Sequence, residues 1–193
     1  MIAIIDYSAG NTRSVMNAVR RVGAEFEVTD DPIKILNADR VIFPGVGHAA
    51  HAMNTLKEKG LDEVIRRVEK PLLGICIGMQ LLFDFSEEGE TQCLGIIEGS
   101  VKKFSEEDKI VPQIGWNNVR HDNSDLFADI EQDAWFYTVN SYYASDTPYA
   151  SAHSEYGVKY TSAVKKDNFY GTQFHPEKSA DNGNQLLKNF IEL

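Results

Sequence analysis

Two rhythms of apolar residues run along the chain. In the first half, short β-rich runs alternate with stretches whose apolar residues recur every three or four positions. The runs are IAIID (2–6), FEVT (26–29), RVIFPG (40–45) and LLGIC (72–76). Mostly apolar along their length, they predict strands covered on both faces, as in parallel sheets. Between them, Val15, Ala18, Val19 and Val22 follow helical spacing behind a cap at Asn11 or Thr12, and Gly23 is a natural stop. From Ala49 to Val68, the residues Met53, Leu56, Leu61, Val64, Ile65 and Val68 fall roughly on one helical side, interrupted at Gly60. After LLGIC, the segment MQLLFDF predicts a further helix over 77–85. Strand and helix alternating at this spacing mean βαβ units and a mostly parallel sheet.

The second half changes rhythm. LGIIEGSVKKF, GWNNV, AWFYTVNSYYA, ASAHS and YTSAVKKDNFYGTQFH are short β-branched and aromatic segments separated by turn residues. The last piece, ADNGNQLLKNFIEL, predicts a C-terminal helix with Leu186, Leu187, Phe190 and Ile191 inward. No internal repeat or low-complexity linker divides the chain, and 193 residues suffice for one sizeable core. The expected fold class is therefore α/β: a single domain over 1–193, with a central, mostly parallel sheet flanked by helices and extra antiparallel strands in the second half.

Composition narrows the partners. The net charge is -10, from 29 acidic against 19 basic side chains. That balance argues against nucleic acid, which needs clustered Lys and Arg, and against an anionic membrane surface. No run approaches the length of a membrane-spanning helix, and MIAIIDYSAGN has no basic segment ahead of its apolar stretch. A cytoplasmic protein without membrane attachment is the expectation. The two cysteines, Cys76 and Cys93, form no CxxC or Cys/His cluster, so neither a disulfide framework nor a structural zinc is expected.

Cys76 stands in an unusual frame. Gly74-Ile75-Cys76-Ile77-Gly78 has the G-x-nucleophile-x-G pattern of a strand-to-helix elbow. In so sharp a turn the nucleophile takes a strained backbone, and its neighbours must lack side chains. The predicted helix start would favour a thiolate, and the Ile77 N–H would point where an oxyanion develops. From the pentapeptide alone a second reading stands equally: a buried cysteine filling a strand end, with glycines for packing. Cys93, in ETQCLG, has no such frame and reads as an inert small hydrophobe.

A thiol nucleophile needs a base. His48, His51, His121 and His153 lie in helix-start, loop or strand contexts that suit capping or surface roles. His175 lies in TQFHPEKS, where Pro176 holds it extended. In an extended chain, residues two apart share a side, so Glu177 can accept a hydrogen bond from one ring nitrogen while the other faces the thiol. HPE alone reads more readily as an ordinary strand end with a solvated carboxylate. Together with the GxCxG elbow, the catalytic reading leads.

GICIGMQLLF, PGVG (44–47) and FHPEKS (174–179) resemble the class I glutamine amidotransferases. Within that class, IIDYSAGNTRSV, FPGVGH, GICIGMQLLF, VPQIGWNNV, NSYYA and YGTQFHPEKS in this order are similar to the glutaminase subunits of imidazole glycerol phosphate synthases, over essentially the whole chain. The resemblance implies hydrolysis of L-glutamine to glutamate and ammonia, the ammonia passing to a separate cyclase subunit, a (β/α)₈ barrel, in a histidine-biosynthetic heterodimer. It implies Cys76 as nucleophile, His175 as general base and acid, and Glu177 as its orienter. It implies an oxyanion strand at Gly45, Val46 and Gly47, and glutamine binding by Gln80, Ser141 and Tyr142. No cofactor or metal is implied.

Three positions depart from the family pattern. Asn140 stands where His is frequent, Ser8 where the turn usually has Gly, and Gln113 where many relatives have His. None touches the triad. They leave room for a paralogue serving another ammonia-dependent synthase, such as a sugar amidotransferase. A γ-glutamyl or peptidase-like cysteine hydrolase of the same fold and a non-catalytic scaffold protein are further alternatives; Gln80 and NSYY argue against the hydrolase.

Overall fold

Strand β1 (Ile2–Ile5) lies between β2 (Phe26–Thr29) and β3 (Arg40–Gly45) and runs parallel to both. The structure, a computed structural model, describes residues 1–8, 11–107 and 109–193; Ala9 and Gly10 of the IIDYSAGNTRSV motif lie outside the described residues. Next to β3 comes β4 (Leu72–Cys76), and beyond it β13 (Phe169–Thr172), again parallel. Every residue of β1 and of β4 is buried, which is why these strands carry unbroken apolar runs.

The crossovers carry helices. Helix α1 (Thr12–Arg21) is capped by Asn11, whose side chain accepts from the Ser14 N–H, and it buries Val15, Ala18 and Val19. Helix α2 (Pro32–Asn37) falls where no helix is expected. It is capped by Asp31 with Pro32 in its first turn, and it buries only Ile35, too little periodicity to mark a face. The predicted segment 49–68 forms α3 (Ala49–Glu58) and α4 (Leu61–Arg66), separated by Gly60 at φ 67°.

The helix predicted over 77–85 ends early. Helix α5 is a single turn, Ile77–Gln80, and Phe83–Ser86 is strand β5. The carbonyls of Leu81, Leu82 and Phe83, which a continuing helix would have bonded to itself, accept from the N–H groups of Leu94, Ile96 and Gly95. β5 then pairs with β6 (Thr91–Gln92) and β7 (Ile97–Lys103). Leu81, Leu82 and Phe83 are all fully buried, so tertiary pairing overrides the local helical pattern.

The remaining strands are β8 (Gln113–His121), β9 (Ala134–Asn140), β10 (Tyr142–Ala144), β11 (Ala150–Tyr156) and β12 (Val158–Lys166). β12 runs antiparallel to β13, and β10 antiparallel to β12 and β7; β11 links β12 to the β8–β9 hairpin. Helix α6 (Ala180–Glu192) buries Leu186, Leu187 and Phe190 and leaves Ile191 half-buried. The result is the expected α/β domain, a largely parallel sheet extended by antiparallel strands. Among the described residues, no helix is long and apolar enough to cross a membrane.

Register positions the site. Gly45 of β3 lies opposite Cys76 of β4, and Thr172 of β13 lies opposite Ile75. Three parallel strands therefore release Gly45, Cys76 and the segment leading to His175 at one carboxyl edge of the sheet, where α/β folds place their ligands.

Candidate active site

Cys76 sits between β4 and α5 with φ 55° and ψ -110°. For a residue with a side chain, such a backbone costs about 1–3 kcal/mol and persists only where its surroundings enforce it. Here they do. A Cβ on Gly78 would lie 1.9 Å from the Phe43 carbonyl oxygen, and one on Gly74 would lie 2.7 Å from the Gly78 carbonyl oxygen. The glycines of GICIG are thus demanded by close approach of β3 and of the turn to itself. Because α5 has only one turn, the thiolate stabilisation expected from a longer helix reduces to local groups.

His175 is extended at φ -101° and ψ 94°, as a residue before proline should be, and its N–H donates to the Tyr137 carbonyl at 2.8 Å. Pro176–Lys178 is a single 3-10 turn rather than a continuing extended chain. The turn still brings Glu177 beside the ring: His175 Nδ1–H donates to Glu177 Oε1 at 2.8 Å, with both side chains buried. Burial opposes charge on the imidazole, but the adjacent Cys76 sulfur and the Glu177 carboxylate outweigh it, and the His175 pKa is pushed up to about 10. The ring therefore holds its proton near neutrality.

Behind the thiol lies a chain of amides. Gln80 Nε2 donates to the Tyr142 carbonyl at 3.0 Å and to Gln173 Oε1 at 2.8 Å, while Gln173 Nε2 lies 3.7 Å from Cys76 Sγ. Asn140 Nδ2 donates to the same Tyr142 carbonyl at 2.8 Å. Gln80 Oε1 and Asn140 Oδ1 are buried acceptors without donors among the described residues.

Cys76 and His175 open onto a cavity of about 280 Å³, which Val46, Gly47, Ile77, Gln80, Ser141 and Tyr142 also line. Of the expected site residues, Gly45 and Glu177 do not line it. Glu177 stands behind His175; Gly45 packs against Tyr7, whose Oη would lie 2.8 Å from a Gly45 Cβ. Val46, which is exposed, and Gly47, at φ 101°, are the two residues of this stretch in the lining.

Three features lie outside the expected set. Glu88, also in the lining, accepts the Ala49 N–H at the start of α3 at 2.7 Å; nothing in SEEGE marks it, since the β5–β6 turn brings it there. Gln173 was legible in principle, being two residues before His175 in an extended stretch and hence on its side. Tyr7 is fully buried, its hydroxyl has no partner among the described residues, and burial raises its pKa, with the Cys76 charge adding.

The other candidates have structural employment. His48 caps α3, accepting from the Ala50 N–H; His121 stacks on Phe127; His153 faces Asp146 at 3.3 Å. Cys93 is buried, and burial pushes its thiol up to about 12. Ser8 adopts φ 67°, the conformation that a glycine would take freely, with its N–H donating to Asp6 Oδ1. Gln113 is buried and accepts from the Tyr160 hydroxyl at 3.3 Å.

A strained elbow cysteine, a buried His–Glu pair and a glycine-edged cavity thus meet at the carboxyl end of the parallel strands. The family model described as glutamine amidotransferase class-I matches residues 3–193, and the chain belongs to that family of glutamine-hydrolysing enzymes. It is 47% identical over 194 residues to the imidazole glycerol phosphate synthase subunit HisH of Bacteroides fragilis, covering 100% of this chain and 99% of that protein. It is 48% identical over 200 residues to the HisH subunit of Dehalococcoides mccartyi, covering 100% and 97%. Solved structures share the fold. One glutamine amidotransferase superposes at TM-score 0.77 and 18% identity, covering 100% of this chain and 98% of that one. Another, from Thermotoga maritima, does so at TM-score 0.66 and 17% identity, covering 99% and 96%.

Proposed function

We propose that the chain is the glutaminase subunit of an imidazole glycerol phosphate synthase, releasing ammonia from L-glutamine in the cytoplasm for a cyclase subunit of a histidine-biosynthetic heterodimer. The observation that carries the chemistry is Cys76, held in a strained elbow at the cavity that His175 also lines, with Glu177 on the far nitrogen of that ring. The pathway rests on full-length relatives, at 46–48% identity, that bear the HisH name.

In this reading the Cys76 thiolate attacks the side-chain amide carbon, and the carbonyl electrons move onto oxygen. N–H groups of the Gly45–Val46–Gly47 stretch and of Ile77 receive that oxyanion. His175 gives its proton to the nitrogen, ammonia leaves, and a γ-glutamyl thioester remains. His175 then takes a proton from water, whose oxygen attacks the thioester carbon; the C–S bond breaks, glutamate leaves, and the thiolate beside protonated His175 is restored, with Glu177 holding the ring throughout. Ser141 and Tyr142 clamp the α-carboxylate and α-amino groups. Glu88, in the cavity lining, adds a carboxylate that can accept from the ammonium.

The test is glutaminase activity of Cys76→Ala, assayed with the co-purified partner and with folding checked by circular dichroism. The variant loses activity while staying folded; a folded variant of full activity would overturn the proposal. Identification of the partner by mass spectrometry decides the pathway. A cyclase supports it, and a sugar amidotransferase refutes the histidine assignment.

A further inference from the structure

We infer that Gln173 is a thiolate-holding residue, a side-chain donor to Cys76 Sγ whose orientation is set through Gln80 by the backbone carbonyl of Tyr142. This deepens the proposed function and rests on Cys76 being the nucleophile.

Heavy-atom positions alone do not tell an amide oxygen from its nitrogen. One backbone group settles the whole chain here. The Tyr142 carbonyl only accepts, so the Gln80 atom 3.0 Å from it is nitrogen. That same nitrogen lies 2.8 Å from the Gln173 amide, which must therefore present oxygen to it. The remaining Gln173 atom is nitrogen, and it lies 3.7 Å from Cys76 Sγ, within reach of a sulfur hydrogen bond. Gln173 is fully buried, so no water competes for that N–H.

The sulfur has two polar neighbours of opposite preference. The Val139 carbonyl, 3.8 Å away, accepts from a neutral S–H and repels a thiolate. The Gln173 N–H does the reverse, because a hydrogen bond to the charged form favours that form. With α5 reduced to one turn, little helix field assists. Gln173 is thus the neutral donor that tips the balance toward thiolate, alongside the imidazolium of His175. Because Tyr142 belongs to the proposed substrate clamp, the relay also ties the clamp to the nucleophile.

The experiment is the pH profile of iodoacetamide alkylation of Cys76 in the full-length protein, read by mass spectrometry of the Cys76 peptide so that Cys93 does not contribute. His175 and Tyr7, the titratable groups whose charges act on Cys76, are kept in every variant. Gln173→Met removes the donor at similar volume, and alkylation at a fixed pH below the midpoint slows about tenfold, a midpoint about one unit higher. Gln80→Met leaves Gln173 in place but frees its orientation, and the midpoint moves the same way by less. An unchanged midpoint in folded Gln173→Met overturns the inference, as does an unchanged midpoint in Gln80→Met, which decides alone should Gln173→Met not fold. Alkylation is read without glutamine turnover, so this failure is distinguishable from failure of Cys76→Ala to lose activity.

Discussion

His175 Nδ1 and Glu177 Oε1 lie 2.8 Å apart inside the protein, with both side chains 2–3% exposed. A buried carboxylate in that position fixes the tautomer of the ring and sustains its charge. Glu177→Gln keeps the shape but removes both effects. Its turnover with glutamine should fall roughly 100-fold or more with KM little changed. Steady-state kinetics check this; a variant within twofold of the parent contradicts it.

The raised pKa of His175 makes stability depend on pH with a definite sign. The folded protein holds the proton up to about 10, whereas the unfolded chain releases it near the ordinary 6.5. The contribution is therefore fully present below about pH 6.5 and lost as pH rises through about 10. In Cys76→Ala the ring loses its chief raising partner while burial still opposes charge, so the midpoint falls. NMR titration of the imidazole checks both: a high midpoint in the parent and a clearly lower one in the variant.

Phe43 and Gly78 meet so closely that no side chain fits between them. A methyl group at Gly78 would lie 1.9 Å from the Phe43 carbonyl oxygen. Gly78→Ala should destabilise by more than about 3 kcal/mol, the upper range for overpacking, because backbone must move. Chemical denaturation measures it; a loss below about 1 kcal/mol would contradict the interlocked elbow.

Tyr7 offers the opposite case. Its hydroxyl is buried without a partner among the described residues, while its ring packs on Phe43 with centroids 5.4 Å apart. Tyr7→Phe keeps the ring and removes the orphan group, so stability should be unchanged or rise by about 1 kcal/mol. A marked loss in denaturant midpoint would show that the hydroxyl is engaged.

What was legible in the sequence follows from how local each signal is. β2, β3 and β4 match FEVT, RVIFPG and LLGIC residue for residue, because short runs rich in β-branched and apolar residues between turn residues declare themselves by composition. Cys76, His175 and Glu177 were legible because glycine and proline constrain their backbones directly. MQLLFDF misled, since apolar residues buried on every side carry no periodicity that separates helix from strand. The pairing of Ile97 with Phe83 decided it. Glu88 was invisible because a turn formed by distant strands places it. The His–Glu pair was read correctly through the wrong geometry, a 3-10 turn standing where an extended chain was expected.

The most direct test of the central claim is the covalent intermediate itself. Acid-quenching the enzyme and its partner during glutamine turnover, followed by peptide mass spectrometry, should find a γ-glutamyl adduct on Cys76 and none on Cys93. Sustained turnover with the adduct on another residue, or with Cys76 replaced by Ala, would contradict the account.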